Sequence, residues 1–197
     1  MPSPTTTGCS MGAAERADRE PAAIDARYGE RLTVQRYGPG PRIEGVELRE
    51  LRRFDEDSGS FNEILRLSHG EAEGWPGFAP RQASYSEVLP GAVKAFHLHR
   101  LQWDLWFVPS SSRLLVGLVE VRDGSPGLGA RMRFVMGAGR SQLLAIPPGV
   151  AHGCANLGTG ASALLYFTDR QFQIEDADEG RLPWDLLGAD FWRITPG

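Results

Sequence analysis

The stretch GAVKAFHLHRLQWDLWF, residues 91–107, carries two of the chain's four histidines, His97 and His99, and Asp104 follows five positions after the second. On a β-strand, residues two positions apart point to the same face, so both imidazoles leave the strand on one side. The apolar residues beside them leave on the other side. The stretch therefore predicts a strand with a buried apolar face and a face that presents polar ligands.

A second stretch, SQLLAIPPGVAHGCAN at residues 141–156, places a third histidine after the rigid turn IPPG, whose prolines fix φ. If the short strand that begins at the aspartate pairs back antiparallel, its carboxylate faces the same side as the first two imidazoles. Three nitrogens and one oxygen suit Fe(II), Mn(II), Ni(II), Co(II) or Zn(II), with positions left open for substrate. The predicted metal ligands are His97, His99, Asp104 and His152.

Short apolar segments separated by turn signals continue through the rest of the chain. They include GVELREL, DLWFVP, RLLVGLVEVR, RMRFVM, QLLAIP and SALLYF, separated by turns such as YGPGP, DGSPGLG and NLGTG. Many short strands at close spacing predict an all-β sandwich or barrel. The segment PWDLLGADFW predicts one short helix near the C-terminus, and RFDED at residues 53–57 predicts a solvated turn.

Length and composition predict one globular domain over residues 28–197, preceded by a disordered tail over residues 1–27 that is rich in Pro, Thr, Ala and charged residues. The formal net charge of -4 at pH 7 provides no basic field for nucleic acid or an anionic membrane. Two cysteines make no disulfide framework, and neither a signal peptide nor an apolar span is present. We therefore expect a cytoplasmic protein.

The two stretches together resemble the paired motifs of the cupin superfamily. In these motifs a glycine leads to two histidines and a carboxylate, and a Pro-x-Gly turn leads to a third histidine; here the carboxylate is Asp104 and the turn precedes His152. The resemblance implies a cupin jelly-roll (double-stranded β-helix) barrel with its site inside.

Over residues 43–192 the chain is similar to the dTDP-4-dehydrorhamnose 3,5-epimerase family of cupins. The similarity rests on seven segments that keep the family's order and spacing: DSGSFNE (57–63), QASYS (82–86), VKAFHLH (93–99), VRDGSPGLG (121–129), IPPGVAHG (146–153), LLYFT (164–168) and EGRLPWD (179–185). It implies an isomerase that moves a proton next to the ketone of a nucleotide-linked sugar.

The resemblance also implies roles for single residues. His97 matches the family's catalytic base, and a neutral imidazole suits that step. Tyr166 matches the tyrosine that returns a proton to the opposite face of the sugar. The implied substrate contacts are His152, Lys94 in place of an arginine, Gln82 and Glu63.

The departures from the family concern the charges of its site. The enolate-stabilising lysine has no counterpart, since Asp104 or Leu105 falls at its place, and His99 replaces a glutamine. An arginine of the nucleotide site is Ser58, and no carboxylate can be assigned as partner of the base. Exchanging Lys and Gln for Asp and His favours a metal-assisted reaction, in which an ion polarises the carbonyl. His97 is then either the base or a metal ligand.

Three hypotheses about function follow. The first is a sugar epimerase or isomerase that works with or without one divalent metal and needs no organic cofactor. The second is a metal-dependent cupin of another class, such as an Fe(II) dioxygenase, and the third is a noncatalytic cupin that binds carbohydrate or metal. We expect a homodimer, because barrel edge strands and an N-terminal segment such as RLTVQRY at residues 31–37 favour pairing across a two-fold axis.

Overall fold

The computed structural model describes residues 21–34, 40–175 and 177–195. Its contacts divide the chain into two units, Met1–Pro39 and Gly40–Gly197. The domain boundary predicted near residue 27 stays a prediction. No described helix is long and apolar enough to cross a membrane.

The described part of the first unit contains one short helix, α1, over Ala26–Gly29. Asp25 caps it, because its carboxylate accepts a hydrogen bond of 2.9 Å from the backbone N–H of Arg27. The segment at residues 31–37, expected to pair across a two-fold axis, is a turn and irregular chain over residues 31–34, and residues 35–37 lie outside the described residues.

The second unit consists almost entirely of short strands. They are β1 (Glu47–Glu50), β2 (Arg53–Glu56), β3 (Gly59–Asn62), β4 (Leu67–Ser68), β5 (Glu71–Ala72), β6 (Gln82–Val88), β7 (Val93–Leu98), β8 (Asp104–Phe107), β9 (Arg113–Glu120), β10 (Arg131–Gly137), β11 (Gln142–Ile146), β12 (Val150–Asn156), β13 (Ser162–Thr168) and β14 (Gly180–Arg181). A 3-10 helix over Ala189–Trp192 follows. The predicted short C-terminal helical segment is therefore confirmed.

Two five-stranded sheets form the jelly roll. The first sheet has the order β1-β11-β8-β13-β6 and the second has the order β10-β9-β12-β7-β14. Neighbouring strands in both sheets are antiparallel. The hairpins β2-β3 and β4-β5 form two small sheets of their own. The all-β cupin jelly-roll prediction is confirmed.

Strand alternation builds the core between the two sheets. On β9, Leu114, Val116 and Leu118 are fully buried and belong to a cluster that also takes side chains from the first sheet. Trp106 on β8 and Leu144 on β11 reach that cluster from the opposite side. The interior is therefore packed with apolar side chains over part of its length, and polar side chains replace them towards one end.

Both sheets are also covered on their outer faces. Leu105 and Phe107 of β8 pack against Phe78 outside the first sheet. Outside the second sheet, Trp192 of the 3-10 helix packs on Phe96 with ring centroids 5.2 Å apart. Covering both faces explains why strands such as β8, β11 and β12 are buried along their whole length.

Glycine at position 117 allows the C-terminal segment to approach the second sheet. A Cβ atom at Gly117 would lie 2.5 Å from Cε1 of Phe191 and 2.7 Å from Cη2 of Trp192. Any larger side chain would force these rings away from the sheet. This close approach holds the C-terminal segment, which passes along β7, against the outer face of the second sheet.

Two local predictions are wrong. Residues 53–56 of the RFDED segment form β2 instead of a turn. This strand pairs with β3 and brings the ring centroids of Phe54 and Phe61 to 6.3 Å from each other. Also, β8 does not pair back on β7, because the chain crosses from the second sheet to the first between them. Asp104 therefore approaches the histidines from the opposite sheet rather than from a neighbouring strand.

Candidate active site

An open groove of about 1350 Å³ lies where the polar ends of the two sheets face each other. The second sheet contributes His97 and His152, and the first contributes Asp104 and Tyr166. The segment that precedes β14 closes one side. Most residues assigned to the site from the sequence therefore line one groove.

His97 has a carboxylate partner in the structure. Its Nδ1 lies 3.2 Å from Oε1 of Glu179, and Arg181 donates a bond of 2.7 Å to the same oxygen. The register of β14 on β7 places Arg181 opposite His97, which brings Glu179 alongside the imidazole. The sequence analysis assigned no carboxylate to the base, and the structure corrects this point.

The contact with Glu179 defines the chemistry of the His97 ring. A carboxylate oxygen at this distance attracts a proton and repels a lone pair, so the neutral imidazole carries its proton on Nδ1 and its lone pair on Nε2. Burial, followed by the nearby positive charges of His152 and Arg181, lowers the pKa of His97 to about 4, although Glu179 acts in the opposite direction. The ring is therefore neutral at pH 7, as a base must be.

A second group consists of His99, Asp104 and His152. One ligand atom from each lies within 4.8 Å of the other two. Oδ2 of Asp104 is 3.5 Å from Nε2 of His152 and 3.9 Å from Nε2 of His99. The structure does not bring His97 into this group. Its ring lies parallel to that of His152 with the ring centroids 6.1 Å apart, and its Nδ1 faces Glu179.

Both histidines of the group have fixed ring orientations. Nδ1 of His152 donates to the carbonyl of Val150 at 3.0 Å, and Nδ1 of His99 donates to the carbonyl of Asp178. A carbonyl oxygen only accepts, so Nδ1 of each ring carries a proton. Nε2, the atom that faces Asp104, donates to that carboxylate when it is protonated and can bind a metal ion when it is not. Such backbone contacts are typical of histidines that bind metal.

Asp104 is held as a carboxylate by donors on both oxygens. Gln102 Nε2 donates to Oδ1 at 2.8 Å, and Trp106 Nε1 donates to Oδ2 at 3.1 Å. Burial on its own would raise the pKa of Asp104, but the contact with His152, together with His99 and Gln102, lowers it below the usual value. The group therefore offers one anionic oxygen ligand and two nitrogen ligands.

Asp178 joins this group to the chain around it. Its carboxylate accepts three backbone N–H bonds, from Arg100 at 2.8 Å, Leu101 at 2.7 Å and Gln102 at 3.0 Å. These are three of the four residues between His99 and β8. The sequence analysis missed Asp178, because the contact spans more than 75 positions and no local pattern indicates it.

Three other predicted residues lie at the groove. Tyr166 lines it from β13, and Gln82 lines it from β6, where Gln82 Oε1 accepts from the backbone N–H of Phe172 at 2.9 Å. Lys94 also lines it and donates to Ser86 Oγ at 2.8 Å. A β-bulge in the pairing of β7 with β12 puts Lys94 on the same side as His97, three positions away.

Glu63 is not among the residues that line the groove. It is exposed and forms an ion pair of 2.7 Å with Arg66 on the surface. Cys154 does line the groove, but burial raises the pKa of its thiol to about 12, so it is not a thiolate at neutral pH.

Comparison with known proteins agrees with this architecture. Residues 41–188 match the family model described as dTDP-4-dehydrorhamnose 3,5-epimerase. The chain belongs to that family. A match over this length includes both sheets and every residue of the groove named above.

Individual relatives extend the comparison. The chain is 38% identical over 143 residues to the spore coat polysaccharide biosynthesis protein SpsL of Bacillus subtilis, covering 73% of this chain and 91% of that protein. It is 32% identical over 145 residues to the probable low-salt glycan biosynthesis epimerase Agl13 of Haloferax volcanii, covering 74% and 90%. The crystal structure of a dTDP sugar isomerase from Desulfovibrio desulfuricans G20 is 30% identical with a TM-score of 0.65, covering 80% and 94%.

Membership of this family makes the protein a carbohydrate epimerase or isomerase, as the sequence analysis predicted. The relatives lend no support to an Fe(II) dioxygenase or to a noncatalytic cupin.

Proposed function

We propose that the protein removes and returns a proton next to the carbonyl of a nucleotide-linked keto-sugar, with His97 as the base. The observation that carries this proposal is the 3.2 Å contact between Nδ1 of His97 and Glu179. It leaves Nε2 as the basic atom of a ring that lines the groove. Glu179 also stabilises the imidazolium that forms when the proton is taken.

Tyr166 is proposed as the acid for the opposite face of the sugar. It stands on the first sheet and His97 on the second, and both line the groove between the sheets. A sugar ring held between them has the imidazole on one face and the phenol on the other. That arrangement inverts a carbon, whereas a single base that removed and returned the proton would restore it.

The proposed substrate is a dTDP-linked 4-keto sugar. The family's description and the dTDP sugar isomerase of Desulfovibrio desulfuricans favour this class. The substrate contacts that we propose at the groove are Lys94, Gln82 and His152. Glu63 lies on the surface, and its role in substrate binding stays a prediction.

We further propose a cytoplasmic homodimer, as expected from the sequence.

Analysis of the product tests this function. Incubation with a dTDP-linked 4-keto sugar, followed by proton NMR of the sugar, should show new coupling constants that report an inverted carbon. The variant His97→Asn should yield none, while His69→Asn, which changes the exposed histidine of the β4-β5 turn, should match the wild type. An unchanged sugar spectrum with the wild type would refute the proposal.

We also propose that His99, Asp104 and His152 bind one divalent metal ion, such as Fe, Mn, Ni, Co or Zn. Two Nε2 lone pairs and one carboxylate oxygen meet within 4.8 Å, and each ligand is held by a further hydrogen bond. A bound ion would stabilise the negative charge that develops on the carbonyl oxygen, the task of the family's missing lysine. His97 stays outside this set and remains free to act as the base.

Binding of Co(II) to protein first stripped by a chelator tests the metal site through its visible absorption. We expect one ion per chain and loss of binding in His99→Ala and in Asp104→Ala. His97→Ala should bind Co(II) as the wild type does, because its ring faces Glu179. Absence of stoichiometric binding in the wild type would refute the site, and loss of binding in His97→Ala would restore the four-ligand set.

A further inference from the structure

We propose that Asp178 is a positioning residue that sets both the tautomer of His99 and the place of Asp104 in the groove. This inference rests on the proposed function, since it concerns the reaction of the same site. Asp178 acts through other residues: three backbone N–H groups donate to its carboxylate, and the His99 imidazole donates to its carbonyl.

The carboxylate of Asp178 fixes the loop that leads to Asp104. Oδ2 accepts from the N–H groups of Leu101 and Gln102, at 2.7 and 3.0 Å, and Oδ1 accepts from Arg100 at 2.8 Å. Three successive amides directed at one carboxylate define the loop conformation, because each charge-assisted bond is about twice as strong as a neutral one. Burial alone would raise the pKa of Asp178, but these bonds lower it below the usual value, so the group is charged.

The loop also determines the position of Asp104 in the ligand group. Gln102 is held at its backbone N–H by Asp178, and its side-chain amide donates to Oδ1 of Asp104 at 2.8 Å. A displaced loop would carry this donor away and leave one oxygen of a buried carboxylate without its partner. The carboxylate would then turn towards other donors and away from its present position beside His99 and His152.

The backbone carbonyl of Asp178 fixes the second ligand. It accepts the Nδ1 proton of His99, which leaves Nε2 as the nitrogen that faces Asp104. Glu179 follows directly and contacts His97, and β14 then pairs with β7. Adjacent residues of one short segment thus orient His99 and His97, and the carboxylate of Asp178 ties that segment to the loop.

The hydrogen-bond geometry predicts a smaller effect for Asp178→Asn than for Asp178→Ala. In Asp178→Asn the single amide oxygen can replace Oδ2 and keep two of the three N–H bonds, whereas Asp178→Ala loses all of them. We expect kcat to fall roughly 3- to 10-fold in the first variant and roughly 10- to 100-fold in the second, with KM within about threefold. Asp190→Asn is the matched control, since Asp190 pairs with Arg193 at 3.0 Å and both side chains are largely exposed.

The decisive readout is the tautomer of each histidine, measured from the imidazole ¹⁵N chemical shifts of the whole chain. We expect the Nδ1–H form for His99 in the wild type and a mixture of forms in Asp178→Ala. His152 should keep one form in every variant, because it donates to the carbonyl of Val150 and not to Asp178. This measurement requires neither substrate nor metal, so it tests Asp178 even if the wild type fails to epimerise a keto-sugar.

A purely structural role would give a different pattern. Asp178→Ala would then lower Tm but keep the wild-type His99 tautomer, and kcat measured well below Tm would stay at the wild-type value. That pattern would overturn the proposal.

Discussion

Replacing Glu179 by glutamine should slow the reaction without unfolding the protein. The change removes the negative charge beside His97 and keeps the size of the side chain, so the imidazolium formed during proton transfer loses its counter-charge. Coulomb's law at the 3.2 Å separation of Nδ1 and Oε1, with an effective dielectric constant of about 20, gives about 5 kcal/mol.

Two features of the structure reduce that figure. Arg181 already pairs with the same carboxylate at 2.7 Å, and the side chains of His97 and Glu179 are 23% and 29% exposed, so solvent screens their interaction. We therefore expect a loss of about 2 to 3 kcal/mol in the transition state, or roughly 30- to 150-fold in kcat.

The assay compares kcat of Glu179→Gln and wild type on a dTDP-linked 4-keto sugar, with Tm measured for both. Tm should change little, because partly exposed ion pairs contribute at most about 1 kcal/mol to stability. Asp190→Asn removes an exposed carboxylate from the same C-terminal region and should retain wild-type kcat. A Glu179→Gln enzyme with kcat within twofold of wild type would refute the assignment of Glu179 as the partner of the base.

Three further predictions follow from the same structure. Tyr166→Phe should still exchange the substrate's α-proton with solvent, because His97 remains, but should invert the carbon at least 10-fold more slowly by NMR; equal losses of both would contradict separate roles. Gly117→Ala should lower the free energy of unfolding, measured by urea titration, by about 1 to 3 kcal/mol, because the new Cβ would lie 2.5 Å from Phe191. Gly127→Ala should leave it unchanged, because the nearest atom to its new Cβ is 3.8 Å away. The Arg122 hydrogen bonds lower the pKa of the buried Glu120 to about 2, below its unfolded value of 4.5, so the stability it contributes is complete above pH 4.5 and is lost as the pH falls towards 2. The stability difference between wild type and Glu120→Gln should therefore be at most about 3 kcal/mol at pH 7 and should vanish near pH 2; a difference that does not change with pH would contradict the ion pair.

The fold was predictable because its information is local and repeated. Alternation marks strands such as β10, where Met132 and Phe134 alternate with the exposed Arg131 and Arg133, and turn residues mark the strand ends. The strands with which β7 and β8 pair were not predictable in this way. Strand alternation fixes which residues share a face but does not state which strand lies next to it, so the crossing of the chain to the first sheet was missed.

Most of the groove residues that the proposed reaction uses were predictable, namely the three histidines, Asp104, Tyr166, Gln82 and Lys94, but Glu179 and Asp178 were not. Glu179 and Asp178 act on residues more than 75 positions earlier in the chain, and β14, which places them, is only two residues long. A strand this short has no periodicity to recognise. The sequence also could not separate His97 from the metal-binding group, because strand alternation places His97 and His99 on one face but does not show that His97 faces Glu179.

The most direct test of the account is deuterium exchange at the carbon next to the substrate's carbonyl. Wild type and His97→Asn are incubated with a dTDP-linked 4-keto sugar in deuterated buffer, and deuterium in the recovered sugar is measured by mass spectrometry. We expect incorporation well above the buffer rate with wild type and incorporation at the buffer rate with His97→Asn. Wild-type incorporation at the buffer rate, or an equal rate in both proteins, would contradict His97 as the base of a sugar epimerase.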